Sequence, residues 1–318
     1  MLIGAEELVA VERGAAGVVR DAAAHVRHSV VLRIAGTACA VHFDDAPAAR
    51  RFAARYADLT IAGAVPRHHA FALRDPVLGP LFWSDGGPVF RWPHGDLAEH
   101  VVAFLADAVA LTAFFNERAD GVLSLHAATV GIPGAAAAIV GDSDVGKTTT
   151  AIACGRIGLR LFSDERCVLD GAAVVHPFPR ALNVREPGRA LLLRDRVAGP
   201  DPVGERLRAH GPGAWTDVRF GELFAPWALP EPAPLRAVFV LAGAGPRVRL
   251  DPATTAAAVK AASRWAHGAG RGLDKLARLH DLFGRAVCYR LELGSPDASA
   301  HAIRAALTAA SGGLGRSA

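Results

Sequence analysis

Ala135-Ala136-Ala137-Ala138-Ile139-Val140 runs directly into Gly141-Asp142-Ser143-Asp144-Val145-Gly146-Lys147-Thr148, with Thr149 next. The second segment satisfies the pattern G-x-x-x-x-G-K-[ST] at every position. Its two glycines permit the torsions that turn successive backbone N–H groups inward, which makes a nest for a polyphosphate. Lys147 is then placed to set its ammonium against the β- and γ-phosphates, and the Thr148 hydroxyl suits Mg²⁺. Residues 147–157 hold no proline and one glycine, Gly155, and Gly158 follows as a C-cap, so they read as a helix whose positive N-terminus adds to the anion site. The apolar run ahead of the loop is short and bounded by Pro and Gly. It reads as a buried strand despite alanine's preference for helices.

Upstream, Leu123-Ser124-Leu125-His126-Ala127-Ala128-Thr129-Val130-Gly131 and a Pro133-Gly134 turn complete a β-hairpin with that strand. His126 alone reads as a satisfied core histidine, but the pairing of its strand with the loop-bearing strand brings it into range of the loop. Downstream, Arg160–Ser163 reads as the next strand, ending in Asp164-Glu165. Strand carboxyl ends in α/β sheets open on the ligand crevice, so both acids should face the phosphates, where one can accept a hydroxyl proton and the other hold Mg²⁺. Arg166 beside them reads as their counter-charge.

The hairpin Leu125–Val130, the loop Gly141–Thr148 and the segment Leu161-Phe162-Ser163-Asp164-Glu165 together resemble the catalytic core of the HPr kinase/phosphorylase family, over roughly residues 122–168. A weaker similarity to HPr-kinase-related proteins of biosynthetic gene clusters, including lasso-peptide kinases, extends over the N-terminal lobe and to about residue 307. The resemblance implies an α/β fold: a mixed-sheet phosphoenolpyruvate-carboxykinase/HPr-kinase-like phosphate-loop core with a smaller N-terminal β-rich α+β lobe. It also implies ATP and Mg²⁺ as cofactors and phosphoryl transfer to a hydroxyl, that of a Ser or Thr in a peptide or small protein. On it, Asp164 is the general base, Glu165 and Thr148 (with Asp164 adjacent) the metal side, His126 an active-site polar group, and Lys147 the phosphate cation. A Pro-x-Pro-Arg segment in relatives matches Pro177-Phe178-Pro179-Arg180, which makes Arg180 a phosphate or acceptor contact, with Arg185 nearby. Thr149 stands where HPr kinases carry an acid, Glu165 where they carry a second aspartate, and their second signature has no counterpart here. HPr recognition and phosphorolysis are therefore not expected. Two other readings share the loop: a nucleotide-binding regulator of cell-envelope polysaccharide export, and a kinase of a free small-molecule alcohol.

Elsewhere, residues 1–95 read as the β-rich lobe, with a helix near Pro47–Tyr56. The spacing of Val101, Phe104, Leu105, Ala108 and Leu111 marks an amphipathic helix over Asp96–Asn116 that opens the catalytic domain, 96–310. Arg236–Leu241 and Ala286–Leu293 read as strands, Pro252–Trp265 and Ser299–Ala309 as helices, Gly199–Pro234 as surface loops, and 311–318 as a frayed tail. With 35 Lys+Arg against 31 Asp+Glu in 318 residues and no basic block, the charge is too dilute to imply nucleic acid. Cys39, Cys154, Cys167 and Cys288 are widely separated, which suggests neither a disulfide framework nor a zinc site. No signal peptide or membrane-spanning run is read, so the expected location is the cytoplasm. Association with further copies of the chain is left open.

Overall fold

The computed structural model describes residues 9–10, 26–75, 79–84, 89–92, 98–117, 122–186, 188–194, 201–209, 216–224, 226–268 and 272–312. The chain divides into two compact units, Met1–Arg118 and Ala119–Ala318.

The first unit contains β1 (Val9–Ala10), β2 (His28–Ile34), β3 (Thr37–Phe43), α1 (Ala46–Arg55), β4 (His68–Asp75), β5 (Gly79–Ser84), β6 (Phe90–Arg91) and α2 (Glu99–Glu117). Its six strands lie in the order β1-β6-β5-β4-β3-β2. Asp45 starts α1 by accepting a hydrogen bond from the Ala48 N–H at 3.0 Å, and the helix buries Ala48, Ala49 and Phe52. Past its end, the buried Tyr56 hydroxyl donates to the buried Asp107 carboxylate of α2 at 2.5 Å. That bond, with burial of Leu105, Leu111, Phe114 and Phe115, ties α2 to the first unit. The unit therefore ends at residue 118 and not at 95, because α2 packs on α1, β4 and β5 instead of opening the next domain. The side chains of Phe104 and Ala108 lie outside the described residues.

The second unit contains β7 (Leu123–Ile132), β8 (Ala135–Val140), α3 (Lys147–Arg156), β9 (Arg160–Ser163), β10 (Arg166–Leu169), β11 (Val174–His176), β12 (Leu182–Val184), α4 (Gly188–Arg194), α5 (Pro202–Ala209), β13 (Thr216–Val218) and α6 (Phe220–Leu223). β14 (Ala233–Ala244), β15 (Arg249–Pro252), α7 (Thr255–Ser263), β16 (Ala266–Gly268), α8 (Leu273–Phe283), β17 (Val287–Leu293) and α9 (Pro296–Gly312) complete it. A nine-stranded mixed sheet runs β11-β10-β7-β8-β14-β17-β15, with β9 and β16 also paired to β7. β8, β14 and β17 are parallel, whereas β7 and β15 run against them. Every residue of β8 is buried, and its flanking strands satisfy its backbone, so tertiary pairing overrides the helical preference of four alanines.

Both faces of this sheet are covered. Ala128, Val130, Ala137 and Ile139 pack with Ala151 and Ile152 of α3 and Ile303 and Leu307 of α9. Leu125, Ala127, Ala138, Val140 and Val238 pack on the opposite face with Ala258 and Val259 of α7 and Leu279, Leu282 and Phe283 of α8. The unit is thus a helix–sheet–helix α/β architecture.

Several boundaries differ from the sequence reading. The stretch 199–234 is not all loop: Val203, Leu207, Val218 and Phe220 of α5, β13 and α6 are buried in the core. The helix expected from Pro252 begins at Thr255, capped by the Thr254 hydroxyl, because Arg249–Pro252 is committed to β15. Helix α8 had no counterpart in the reading. α9 runs through Gly312, so the expected tail is shorter; residues 313–318 lie outside the described residues. Among the described residues, no helix is long and apolar enough to cross a membrane. All four cysteines are buried thiols, and burial pushes those of Cys154 and Cys167 up to about 12.

Candidate functional site

At Val140 the loop-bearing strand leaves the sheet. Val140 is opposite Ala127, so β8 pairs only with the second half of β7. The first half, Leu123–His126, pairs instead with β10 on one side and β16 on the other. The end of β8 and the start of β16 thus come close together along β7, Val140 opposite Ala127 and Ala266 opposite Leu125.

The loop ends at Gly146, whose φ of +105° is left-handed and which starts α3 without any side-chain cap. A Cβ there would meet Leu293 Cδ1 at 3.0 Å, so glycine answers both torsion and space. No side chain of the cap therefore occupies the first-turn N–H groups of α3, the donors that an anion site at a helix N-terminus uses. Lys147 is buried, and its ammonium donates to the Gly141 carbonyl at 3.0 Å and the Asp142 carbonyl at 2.7 Å. Burial lowers its pKa, while Asp142, Asp144 and Asp164 favour the charged form. Gly141 is buried against Val145 and Leu241, and Asp142, Ser143 and Asp144 form the exposed rim. Thr149 faces Gly188 at the start of α4 and not the rim.

β9 and β10 act as one interrupted strand along β7: Ser163 is opposite Thr129, and Arg166 is opposite His126. The Ser163 hydroxyl accepts from the Glu165 and Arg166 N–H groups at 3.3 and 3.0 Å, which makes the turn between them. Asp164 is buried, and its carboxylate accepts from the Thr148 hydroxyl at 3.3 Å. Glu165 points elsewhere. It forms an ion pair with Arg180, whose side chain is 4% exposed, and lies 3.9 Å from His126 Nδ1. The acid beside Thr148 is thus Asp164, and Glu165 stands apart from the metal side to which the resemblance assigned it.

The His126 backbone N–H donates to the Trp265 carbonyl at 3.1 Å, and the two rings lie 5.7 Å apart. Burial, joined by the cations Lys147, Arg166 and Arg180, pushes its imidazole down to about 3. At neutral pH it is an uncharged donor or acceptor among cations. His267 is likewise pushed down to about 4 by burial, Arg166 and Lys275. Arg166 is half-buried and donates to Ser124 at 3.4 Å, so it belongs to the site's floor and is more than a surface counter-charge.

Two aspartates on the rim carry arginine partners. Arg185 meets Asp144 at 3.0 Å, and Arg264 forms an ion pair with Asp142 while lying 5.0 Å over the Trp265 ring. Asp144 has a left-handed φ of +61°, a conformation that asparagine and aspartate tolerate better than most residues. Arg264, Trp265 and His267 were not legible as site residues: no local pattern marks them, and they arrive through the pairing of β16 with β7.

Thr148 and Asp164 together supply a hydroxyl and a carboxylate, the donor set that fits Mg²⁺, which takes few protein ligands and fills its shell with water and phosphate oxygens. Among the described residues no group of three or more His, Cys, Asp or Glu could hold a metal by itself. No model of a known protein family matches the sequence, and no curated protein is similar enough to count as a relative.

Proposed function

We propose that this chain binds ATP with Mg²⁺ at Gly141–Thr148 and transfers the γ-phosphoryl group to a hydroxyl, that of a Ser or Thr in a peptide or small protein. The observation that carries this reading is the convergence of Lys147, the uncapped N-terminus of α3 and the Thr148–Asp164 contact on one mouth of the sheet. When bound, Mg²⁺ would neutralise phosphate charge, held from the protein side by Thr148 and Asp164.

Lys147 would exchange the Gly141 and Asp142 carbonyls for phosphate oxygens, since charge-assisted bonds are the stronger ones. With Oδ2, the oxygen beside Thr148, on the metal side, Asp164 would take the proton of the acceptor hydroxyl on Oδ1. Glu165 is the poorer base because it is committed to a guanidinium, and its role is to hold Arg180 and border His126. His126, uncharged, would orient the acceptor or a phosphate oxygen by a hydrogen bond. The peptide acceptor, like the relation to HPr-kinase-like proteins, comes from the sequence resemblance and is part of the proposal.

The test incubates the protein with MgATP and a panel of Ser/Thr peptides and reads phosphopeptide by mass. Lys147→Met should cut transfer by about 10²–10³-fold without lowering the melting temperature of the nucleotide-free protein. Asp164→Asn should retain nucleotide and lose transfer, and Glu165→Gln should retain part of it. Tight nucleotide binding with no labelled acceptor in any panel would favour a nucleotide-operated regulator instead.

A further inference from the structure

The rim of a loop built to take an anion carries two carboxylates, each covered by a guanidinium: Asp144 by Arg185, and Asp142 by Arg264 from a more distant part of the chain. Arg264 sits in the two-residue link between α7 and β16, and its guanidinium is ion-paired with Asp142. Both side chains are open to water, 58% exposed for Arg264 and 61% for Asp142. An ion pair that exposed contributes little to stability and breaks readily. The platform beneath it is fixed. The guanidinium rests over Trp265, whose carbonyl accepts from the His126 backbone N–H, so the neighbouring backbone is part of the sheet. Asp142 is also the residue whose carbonyl holds the Lys147 ammonium, so Arg264 and Lys147 approach the loop mouth through the same residue.

We propose that Arg264 is a phosphate-recognising residue kept in reserve: Asp142 holds it at the rim, and it passes to the triphosphate when nucleotide enters. This rests on the nucleotide reading of the loop. A polyphosphate brings several negative charges against the single carboxylate of Asp142, and a guanidinium matches phosphate oxygens with two parallel N–H donors. Arg180 does not serve this purpose, being buried on Glu165. Arg264 keeps its contact with Trp265 throughout, so the move is a side-chain rotation and not a loop rearrangement. Asp142 is then a competitor for Arg264 and a repulsive neighbour of the phosphates, and it sets an upper limit on affinity.

That competition gives the two partners opposite signs, which a mere brace of the loop does not. The probe is a non-hydrolysable ATP analogue with Mg²⁺, titrated by calorimetry on the full chain. Arg264→Ala should weaken binding about tenfold or more, Arg264→Lys should recover part of the loss, and Asp142→Asn should tighten binding severalfold. If Asp142→Asn and Arg264→Ala both weaken binding to the same degree, and the double variant is no weaker, the pair only braces the loop and the proposal is overturned. An unchanged affinity in Arg264→Ala overturns it as well. Lys147→Met separates this failure from that of the nucleotide reading: if the unaltered chain binds no analogue, or the Lys147 variant binds as well as it does, the loop does not hold nucleotide and both fall together.

Discussion

Replacing His126 by glutamine should remove a specific part of the protein's sensitivity to acid. In the folded chain the imidazole is pushed down to about 3, first by burial and then by Lys147, Arg166 and Arg180, whereas in the unfolded chain it titrates near its ordinary 6.5. The unfolded state therefore binds the extra proton between those two values. Stability from the neutral imidazole is complete above about pH 6.5 and is lost as the pH falls toward 3. From pH 6.5 to 5 the interval is about one and a half pH units at about 1.4 kcal/mol each, so His126 alone accounts for a loss of about 2 kcal/mol by pH 5. The side chain is 28% exposed, so most of that penalty survives solvent screening. The assay is urea denaturation at intervals from pH 7.5 to 5, comparing the slope of stability against pH and not its absolute value. His267, pushed down to about 4, adds a slope in the same window that the variant retains, so the two curves should separate by the contribution of His126 alone. Parallel curves would refute the claim that burial among cations holds His126 neutral. Pyrophosphate should move the same imidazole upward in an NMR titration, because an anion beside Lys147 offsets a charge that opposes protonation.

Two further substitutions test the frame around the site and the first unit. Gly146→Ala puts a side chain into a left-handed torsion of +105° with its Cβ 3.0 Å from Leu293, and should cost about 1–2 kcal/mol; a calorimetric melting temperature lower by several degrees, with anion binding weakened, is the expected result. Tyr56→Phe removes the 2.5 Å bond to the buried Asp107 and should cost about 1–3 kcal/mol by urea denaturation, while nucleotide affinity in the 119–318 unit stays unchanged.

Much of the second unit was legible in the chain because its signals are local. Gly146 permits the left-handed torsion that the loop pattern calls for, and the Pro133-Gly134 turn and the acids after Ser163 follow from residues a few positions apart. The six residues of β8 could be read as a strand from the breakers at each end, since alanine carries no pattern of its own. Helix α8 carries an equally local signal, Leu273, Leu276, Leu279 and Leu282 at helical spacing. The domain boundary was not readable locally: α2 is apolar whichever unit it joins, and the Tyr56–Asp107 bond that assigns it spans about fifty positions.

The split between the two acids was likewise beyond sequence, because Asp164-Glu165 is only a pair until the turn at Ser163 sends one carboxylate to Thr148 and the other to Arg180. The neutral state of His126 depends on burial and on cations from α3, β10 and the Pro177–Arg180 segment, none adjacent in the chain. Arg264 and Trp265 reach the loop because β8 stops at Val140 and β16 takes its place beside β7. Torsion, turn chemistry and periodicity are properties of neighbouring residues, and a sequence displays them. Which charges share a low-dielectric mouth is a property of strand pairing across more than a hundred residues, and only the folded sheet decides it.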